Sequence, residues 1–317
     1  MILCCGEALI DMLPRVTDKG EPAFAPHAGG AVFNTARALG RLGAETGFLC
    51  GLSRDLFGEQ LRIALSESQV DSALSPLSDR PTTLAFVTLI DGQARYAFYD
   101  ENTAMRAMQV ADLPVLPATV RAVFFGGISL VSEPCGTAFE ALCSAAVDRV
   151  VMLDPNIRPG FIRDEPAYRA RLNRMISRAD IVKLSDEDLL WLVPDRPEAE
   201  AIAALLALGP ALLLITRGAQ GSEAHHHGGV LSEPGVPVTV VDTVGAGDTF
   251  NAGILAALDA AGALNRAALR VLPGETLSQA LALANRVAAV TASRAGANPP
   301  WAGELQPPFS VTSAGRD

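Results

Sequence analysis

The chain has 317 residues, of which 49% are hydrophobic and 19% are charged, and its formal net charge is −10. This composition supports a sizeable core and argues against disorder, and the negative charge disfavours nucleic acid as a partner. Lys19 and Lys183 are the only lysines, and neither follows a glycine. A P-loop and a Schiff-base lysine are therefore disfavoured, so a bound phosphate would need local donors and a metal that offsets its charge.

The cysteines and the apolar runs bear on where the protein resides. The five cysteines are odd in number, form no Cys-x-x-Cys pair and have mostly apolar neighbours, which is typical of buried reduced thiols in the cytoplasm. The first residues lack the basic segment of a signal peptide, and no apolar run reaches the length of a membrane span. We therefore expect a soluble, cytoplasmic protein without a membrane partner.

Taken in chain order, short apolar runs alternate with longer segments of helical period, which predicts a parallel sheet covered by helices. Predicted strands lie at 2–5, 46–51, 122–125, 150–153, 181–184 and 211–216. Predicted helices lie at 32–42, 56–67, 137–147, 167–178, 185–193, 197–208, 248–260 and 276–294.

Two strand-like runs interrupt this alternation, at 82–90 and 93–99, and Asp91-Gly92 between them is a hairpin signal. A hairpin inside an α/β series is usually an insertion. The pattern alone is consistent with a lid over the site or with an extra edge hairpin on the main sheet.

Residues 242–253 read Asp-Thr-Val-Gly-Ala-Gly-Asp-Thr-Phe-Asn-Ala-Gly and lead into a predicted helix. Small residues let the backbone approach a ligand closely, and the free N–H groups at a helix start favour a phosphate. Asp248 follows in the first helical turn. An anion hole beside a carboxylate base is what phosphoryl transfer to a hydroxyl requires, although the pattern by itself also fits a turn with Asp248 as its cap.

This segment resembles the C-terminal signature of the ribokinase-like (PfkB) family of carbohydrate kinases, Asp-Thr-x-Gly-Ala-Gly-Asp-x-Phe. Residues 29–44 resemble the N-terminal signature of the same family. Further family-like pieces lie at 6–11, 55–58, 154–159 and 216–221. The pieces at 6–11 and 154–159 are most similar to those of fructokinases and 2-keto-3-deoxygluconate kinases.

The resemblance implies an α/β fold, namely a ribokinase-like three-layer α/β/α sandwich with a mostly parallel central sheet and a small β-sheet lid. The kinase domain would span residues 1–302, with lid segments near 12–28 and 82–100. Residues 303–317 would form a flexible C-terminal tail. A homodimer joined through the lid is a further expectation.

Asp248 is the expected catalytic base, which would take the proton of a sugar hydroxyl as that oxygen attacks the γ-phosphoryl group of ATP. The backbone amides of Gly245, Ala246 and Gly247 would stabilise the developing charge.

For the sugar, the resemblance implies a site formed by Asp11, Gly29, Gly30, Asn34, Tyr99 and Arg158. Three of these have an alternative interpretation. Asp11 could be a solvated loop acid, Asn34 could cap a helix, and Arg158 could form a surface ion pair or reach the phosphates of ATP.

For ATP, the resemblance implies contacts with Lys183, Thr216, Gly218, Gly221, Gly245, Gly247 and Asn285. Thr216, Gly218 and Gly221 follow a predicted strand, and Asn285 lies on the last long helix. Lys183 stands at the end of an apolar strand pattern.

The metal sites rest on weaker patterns. The family commonly has Asn-x-x-Glu where this chain has Ser185 and Asp188, so Glu187 or Asp188 would serve Mg²⁺ through water, whereas a helix capping box explains the same residues. Asp242 and Val244, with the loop at 295–297, resemble a site for a monovalent cation such as K⁺. The run His225-His226-His227 is expected to be an exposed turn, because consecutive strand residues face opposite sides.

The sequence thus predicts an ATP-dependent sugar kinase that uses Mg²⁺ and resembles fructokinases most. A neutral ketohexose is favoured, because Asp11, Asp100 and Glu101 would oppose an anionic sugar. One alternative is a 2-keto-3-deoxygluconate kinase, with Arg95, Tyr96 or Tyr99 of the hairpin, or Arg158, on the carboxylate. The others are a ribose or nucleoside kinase and a non-catalytic sugar sensor. A dinucleotide-dependent reductase is disfavoured, because no Gly-x-Gly-x-x-Gly follows the first strand.

Overall fold

The computed structural model describes residues 1–90 and 93–305, apart from the side chains of 88–90 and 93–96. The strands are β1 (Ile2–Cys5), β2 (Leu9–Val16), β3 (Pro22–Gly29), β4 (Thr46–Leu49), β5 (Leu52–Ser53), β6 (Val70–Asp71), β7 (Leu77–Ser78), β8 (Leu84–Ile90), β9 (Gln93–Tyr99), β10 (Ala122–Gly126), β11 (Val150–Asp154), β12 (Ile181–Ser185), β13 (Leu212–Thr216), β14 (Gly221–His226) and β15 (Gly229–Pro234). The helices are α1 (Ala31–Arg41), α2 (Leu56–Glu67), α3 (Cys135–Ala145), α4 (Glu165–Arg178), α5 (Asp186–Leu192), α6 (Glu198–Ala207), α7 (Ala246–Ala260), α8 (Arg266–Arg270) and α9 (Gly274–Ala292).

Within the described residues, the main sheet has nine strands in the order β15-β14-β13-β12-β11-β10-β1-β4-β6. The run from β13 to β6 is parallel, and β14 and β15 pair antiparallel at one edge. The parallel strands consist of short apolar runs that are buried on both faces, as a helix-covered sheet requires. Helices pack on both sides, with α7 in contact with both α1 and α9, and with α3 against α4. The predicted three-layer α/β/α sandwich is confirmed.

The order of the strands places the site. The chain runs outward in one direction from β1 to β4 and in the other from β10 onward, so the sheet has a switch point between β1 and β10. In open α/β sheets a crevice forms at the carboxyl ends of the strands at such a point. Glu7 follows β1 there, and Gly127 follows β10.

A second sheet of four strands has the order β3-β2-β8-β9. β2 continues from β1 across a short connection, and β3 leads directly into α1, so this sheet stands over the carboxyl edge of the main sheet. β8 and β9 pair antiparallel and form the predicted hairpin, as part of this sheet and not of the main one. Its turn, Asp91-Gly92, lies outside the described residues.

The sequence placed the core elements within about two residues at most ends, and β1 and α2 match the prediction at both ends. The prediction of an exposed turn for the histidine run is confirmed for His227, which is exposed in the turn after β14, and is wrong for the other two histidines. His225 and His226 are the last residues of β14, and His225 is buried beside Glu223, with Nε2 3.2 Å from a carboxylate oxygen. The glycine and polar residues of β14 give no strand pattern in the sequence. The strand is stabilised by its pairing with β13 and not by local propensity.

Three further expectations concern the ends of the chain, the membrane and the thiols. Ala302–Glu304 forms a 3₁₀ turn and Leu305 is buried, whereas residues 306–317 of the expected tail lie outside the described residues. None of the helices in the described part of the chain has both the length and the apolar character to span a bilayer. All five cysteines are free and buried.

Candidate active site

A cavity of about 370 Å³ lies at the switch point, between the end of the main sheet, the second sheet and the start of α7. We call it the acid cavity, because three carboxylates, those of Glu7, Asp11 and Asp248, line it. Its other lining residues include Gly30, Ala31, Asn34, Phe98, Gly127, Asn156, Arg158, Phe161, Lys183, Thr243, Val244, Gly245 and Gly247.

Asp248 is the third residue of α7, and Gly245 precedes the helix in the left-handed conformation with φ 82°. Its side chain does not cap this helix, because its oxygens accept hydrogen bonds from elsewhere. Asn34 Nδ2 donates to Oδ2 at 3.0 Å, and Asn156 Nδ2 donates to Oδ1 at 3.4 Å. Thr35 Oγ1 holds the backbone carbonyl of Asp248 at 3.0 Å. The carboxylate is therefore fixed from both sides and is only 7% exposed.

The environment of Asp248 sets its acidity. Burial raises the pKa of this carboxyl to about 7, with Asp154 and Glu7 adding to the rise and the Asn34 hydrogen bond and Lys183 opposing it. A carboxylate with a pKa near the working pH is well matched to the role of a general base, because it can both hold and release a proton.

Lys183 lies beneath this site in a buried pair with Asp154. Its Nζ donates to Asp154 Oδ2 at 3.0 Å, and Asn251 Nδ2 donates to the same oxygen at 2.7 Å. Burial by itself would lower the pKa of Lys183, but the surrounding carboxylates of Asp154, Asp188 and Asp248 raise it above the usual value. A β-carbon on Gly247 would stand 3.2 Å from Nζ, so the glycine keeps the start of α7 open toward this cation.

The predicted sugar residues come together at the opposite wall, with one exception. Asp11 lies in β2 and not in a loop, and burial raises the pKa of its carboxyl to about 6. Gly29 leaves room for that carboxylate, because a β-carbon there would overlap Asp11 Oδ2. Asn34 sits inside α1 rather than capping it, and its buried Oδ1 has no partner among the described residues. That oxygen is closed off from solvent in this structure, so the role of Asn34 that the contacts show is to hold Asp248.

Tyr99 is the exception. Successive strand residues face opposite sides of a sheet, and in β9 it is Phe98 that lines the acid cavity, with its ring 4.0 Å from that of Phe161. Tyr99 is 63% exposed on the other face, where its ring meets Phe86 at 5.4 Å. The prediction that Tyr99 contacts the sugar is therefore wrong, because the residue of β9 that lines the acid cavity is its neighbour Phe98.

Arg158 stands at the rim of the acid cavity and is exposed. Its Nη1 donates to the carbonyl of Ile157 at 3.0 Å, and no salt bridge of Arg158 is formed within the described residues. It also borders a neighbouring cavity of about 690 Å³ that contains Asp100 and Arg106. Asp100 is buried and paired with Arg106 at 2.9 Å, so it is not the free opposing charge that the sequence suggested. Arg95 and Tyr96 lie outside the residues whose side chains are described.

A second, more apolar cavity of about 470 Å³ lies on the other side of the α7 N-terminus. It shares Thr243 and Gly247 with the acid cavity, so the two meet at the start of the helix. We call it the apolar cavity, and its lining includes Thr216, Gly218, Gly221, Val236, Val238, Val240, Ala246, Phe250, Asn285 and Ala289. The predicted ATP residues other than Lys183 and Gly245 are all present in it.

Asn285 acts within the protein rather than toward the apolar cavity. Its Oδ1 accepts from Ser222 Oγ at 2.9 Å, and its Nδ2 donates to the carbonyls of Glu233 and Pro234 at 3.1 Å each. These bonds tie α9 to the end of β15, where the wall of the cavity begins. Asn285 thus shapes the cavity without leaving its amide free for a ligand.

The predicted metal residues are largely committed to backbone amides. Asp188 Oδ2 accepts from the amide of Ser185 at 3.1 Å, and Oδ1 accepts from Ile157 at 2.9 Å. Ser185 and Asp188 therefore form the capping box that starts α5, and Glu187 is exposed beside it. The described residues hold no cluster of three or more potential metal ligands among His, Cys, Asp and Glu.

Asp242 and Val244 do lie beside the loop at 295–297. Asp242 Oδ1 accepts from the amide of Val244 at 3.0 Å, and Oδ2 accepts from Gly296 at 2.9 Å. The carboxylate joins the two loops, and these residues line a further cavity of about 360 Å³ with Ala295 and Ala297.

Sequence reasoning assigned no role to Glu7, Asp154, Asn156 or Asn251. Asp154 and Asn156 stand in the Asp-Pro-Asn stretch that ends β11, and Asn251 follows Asp248 by three residues on α7. The spacing of Asp248 and Asn251 on one helical face was a usable signal for the latter. The other three are recognisable only once the strands lie side by side.

A buried carboxylate at a helix N-terminus, between a polar cavity and an apolar one, is an arrangement that suits phosphoryl transfer to a hydroxyl group. Residues 1–302 match the pfkB family carbohydrate kinases. The chain is 54% identical over 259 residues to a fructokinase of Rhizobium leguminosarum bv. trifolii, which covers 81% of this chain and 79% of that protein. A fructokinase of Klebsiella pneumoniae is 35% identical over 299 residues, or 92% and 93% of the two chains.

Among solved structures, that of fructokinase with bound ATP from Xylella fastidiosa is similar, with a TM-score of 0.86, 30% identity and 93% of each chain covered. This chain belongs to the pfkB family of carbohydrate kinases, and it is an ATP-dependent sugar kinase.

Proposed function

We propose that this sugar kinase transfers the γ-phosphoryl group of ATP to a hydroxyl of fructose, and that Asp248 is the general base. The observation that carries the proposal is the position of Asp248, buried at the start of α7 and facing the acid cavity. The fructokinases among its relatives support the choice of sugar.

In this proposal the sugar occupies the acid cavity. Asp11 accepts hydrogen bonds from its hydroxyls, and Asn34 lies in the same lining and holds the base. ATP lies with its base in the apolar cavity and its phosphates across the start of α7. Asp248 takes the hydroxyl proton as the oxygen bonds to the γ-phosphorus and the bond to ADP breaks, while the amides of Gly245 and Gly247 stabilise the charge. The amide of Ala246, which the sequence also suggested for this role, donates to the carbonyl of Thr243 at 3.3 Å.

The charges of the acid cavity favour a neutral sugar. Glu7, Asp11 and Asp248 line it, and Lys183 is already paired with Asp154. Arg158 at the rim is the one cation of the described lining that has no carboxylate partner. An anionic sugar such as 2-keto-3-deoxygluconate would meet more repulsion than attraction unless its carboxylate reached Arg158.

The test is kcat/KM for fructose and for 2-keto-3-deoxygluconate at fixed ATP, with ribose, tagatose and adenosine for comparison. We expect fructose to give the highest value. A higher value for 2-keto-3-deoxygluconate would contradict the substrate assignment and would make Arg158 its carboxylate contact, while no sugar-dependent use of ATP would favour a sensor.

We also propose that Mg²⁺ accompanies ATP and that K⁺ activates the enzyme. The fit of the protein to Mg²⁺ is indirect, because both oxygens of Asp188 accept backbone amides, so Glu187 and Asp188 would reach the ion only through water. Mg²⁺ would offset the phosphate charge. The carbonyl groups near Asp242 and the loop at 295–297 would hold K⁺. Equal rates in K⁺ and Na⁺ would exclude the second part.

A homodimer through the second sheet, acting as a lid, is a separate proposal. Phe24, Phe86 and Tyr99 form an aromatic cluster on the face turned away from the acid cavity, with ring centroids 5.0 and 5.4 Å apart. Phe24 and Tyr99 are both exposed, and such patches commonly mark an interface. Light scattering should give a dimer mass for the wild type and a monomer mass for Tyr99→Asp, and a wild-type monomer would contradict the proposal.

A cytoplasmic location is proposed on the state of the thiols. All five cysteines are free and buried, and burial raises the pKa of every one of these thiols. Such cysteines suit a reducing compartment. Fractionation of the native cells would test it, with activity outside the cytoplasmic fraction as the contrary result.

A further inference from the structure

We propose that Glu7 is a positioning residue for the catalytic base, which sets the start of α1 and thereby the hydrogen bond from Asn34 to Asp248. The proposal rests on the assignment of Asp248 as the base. It concerns a carboxylate that lies in the acid cavity without being needed for the proton transfer itself.

The first step is the capping of α1. This helix has no acidic residue in its first turn and no side-chain cap of its own, and Gly30 stands at its N-cap position. Glu7 Oε1 accepts the amide of Ala31, the first residue of the helix, at 3.0 Å. A carboxylate from 24 positions away thus supplies the charge and the acceptor that a helix N-terminus favours.

The second step is a link to the other wall of the crevice. Glu7 Oε2 accepts the amide of Ser129 at 3.2 Å, in the turn that follows β10. The same carboxylate therefore joins the start of α1 to the turn at 127–129, across the switch point of the sheet. Glu7 is 1% exposed, so these two bonds are made in a dry environment where each has a large effect.

Two glycines leave the space that Glu7 occupies. A β-carbon on Gly127, which has φ 66°, would overlap the carboxylate of Glu7. A β-carbon on Gly30, which has φ 111°, would stand 2.8 Å from the carbonyl oxygen of Glu7 and 3.1 Å from its Cγ. Both the left-handed backbone and the lack of space require glycine, so the surrounding chain is built to hold Glu7 in one place.

The third step leads to Asp248. Asn34 and Thr35 follow Ala31 within one turn of α1, and they hold the side chain and the backbone carbonyl of Asp248 at 3.0 Å each. A shift of the first turn of α1 would therefore move the base. Glu7 also acts through its charge. Asp154, Lys183 and Glu7 act on the pKa of Asp248, and Asp154 and Glu7 raise it. Asp11 and Arg158 are the other charged groups in the lining of the cavity that Asp248 faces.

Two substitutions separate the effect of the hydrogen bonds of Glu7 from the effect of its charge. Glu7→Gln keeps the shape but removes the charge, and its NH₂ group would face an amide donor. Glu7→Asp keeps the charge but is one methylene too short to reach both amides. Glu200→Gln, on the exposed face of α6, is the matched control that removes an acid far from the site.

We expect kcat to fall roughly 10-fold or more in Glu7→Gln, as for the loss of one hydrogen bond to a charged group, with the KM for ATP within about twofold. The acid limb of kcat/KM against pH should lie at lower pH in Glu7→Gln, which loses the charge that raises the pKa of Asp248, than in Glu7→Asp, which keeps that charge. Hydrogen exchange should quicken in peptides covering 29–36 and 127–132, with α9 unchanged. Glu200→Gln should match the wild type in every respect.

Unchanged turnover, acid limbs that coincide in Glu7→Gln and Glu7→Asp, or unchanged exchange in those two peptides would each overturn the proposal. If Glu7→Gln does not fold, Glu7→Asp carries the test through its turnover and exchange. A wild type without sugar-dependent turnover would instead refute the proposed function, and the exchange experiment would still report on the role of Glu7.

Discussion

The two cavities that meet at the start of α7 differ in how their polar groups are used. Around the acid cavity, Asp248 is buried with a raised pKa, and Asn34 Oδ1 has no partner among the described residues. Around the apolar cavity, the side-chain amide of Asn285 is occupied by three hydrogen bonds to the protein. Polar groups without a protein partner indicate that the reaction takes place in the acid cavity. Polar groups that are fully hydrogen-bonded within an apolar wall indicate that the apolar cavity serves to bind a ligand.

This difference predicts which kinetic constant each side controls. Changes in the acid cavity should alter kcat or the KM for the sugar. Changes around the apolar cavity should alter the KM for ATP. A variant of the acid cavity that changes only the KM for ATP, or a variant of the apolar cavity that changes kcat, would contradict this division.

The largest effect is expected for Asp248→Asn, because an amide cannot take the proton. We expect kcat to fall roughly 10²–10⁴-fold, with the KM for ATP within about twofold. Steady-state kinetics with both substrates varied measures this. Near-normal kcat would remove Asp248 from the mechanism, and circular dichroism of the variant serves as the folding control.

Asp11→Ala should come next. Loss of a hydrogen bond to a partly buried carboxylate is worth about 1.5–3 kcal/mol, so the KM for the sugar should rise roughly 10- to 150-fold. The KM for ATP should stay nearly constant. Should the ATP constant change instead, the assignment of the two cavities would be reversed. Glu101→Ala, at an exposed acid beyond the end of β9, is the matched control.

A smaller effect is expected for Asn285→Ala, which releases the carbonyls at the end of β15. The altered wall should cost about 1–2 kcal/mol of the free energy of ATP binding. The KM for ATP should therefore rise roughly 5- to 30-fold while kcat changes little. Isothermal titration with ATP would check the affinity directly. A fall in kcat at saturating ATP would show that the apolar side also takes part in the chemistry.

Local patterns in the sequence predicted a parallel sheet covered by helices and the turn at Asp248, whereas most of the acid cavity was predicted from the resemblance to a kinase family. Buried strands such as β1 and β11 are unbroken apolar runs, and Asp248 stands beside glycines that need no tertiary information to recognise. The sequence missed the choice between Phe98 and Tyr99, since the phase of a strand is fixed by what it packs against and both faces of β9 carry an aromatic residue.

The role of Glu7 could not be predicted for a different reason. Its two partners are the backbone amides of Ala31 and Ser129, 24 and 122 positions away, and a backbone amide leaves no mark in the sequence. The pairing of Lys183 with Asp154 is likewise set by the adjacency of β11 and β12 and not by spacing along the chain.

The central claim, that Asp248 is a buried base with a raised pKa, is tested most directly by the pH dependence of kcat/KM for the sugar in the wild type. Because the active form of the base is deprotonated, activity should rise with pH through an apparent pKa of about 7. The residual activity of Asp248→Asn should lack that limb. A wild-type profile that is flat down to about pH 5, or a limb that persists unchanged in Asp248→Asn, would contradict the account.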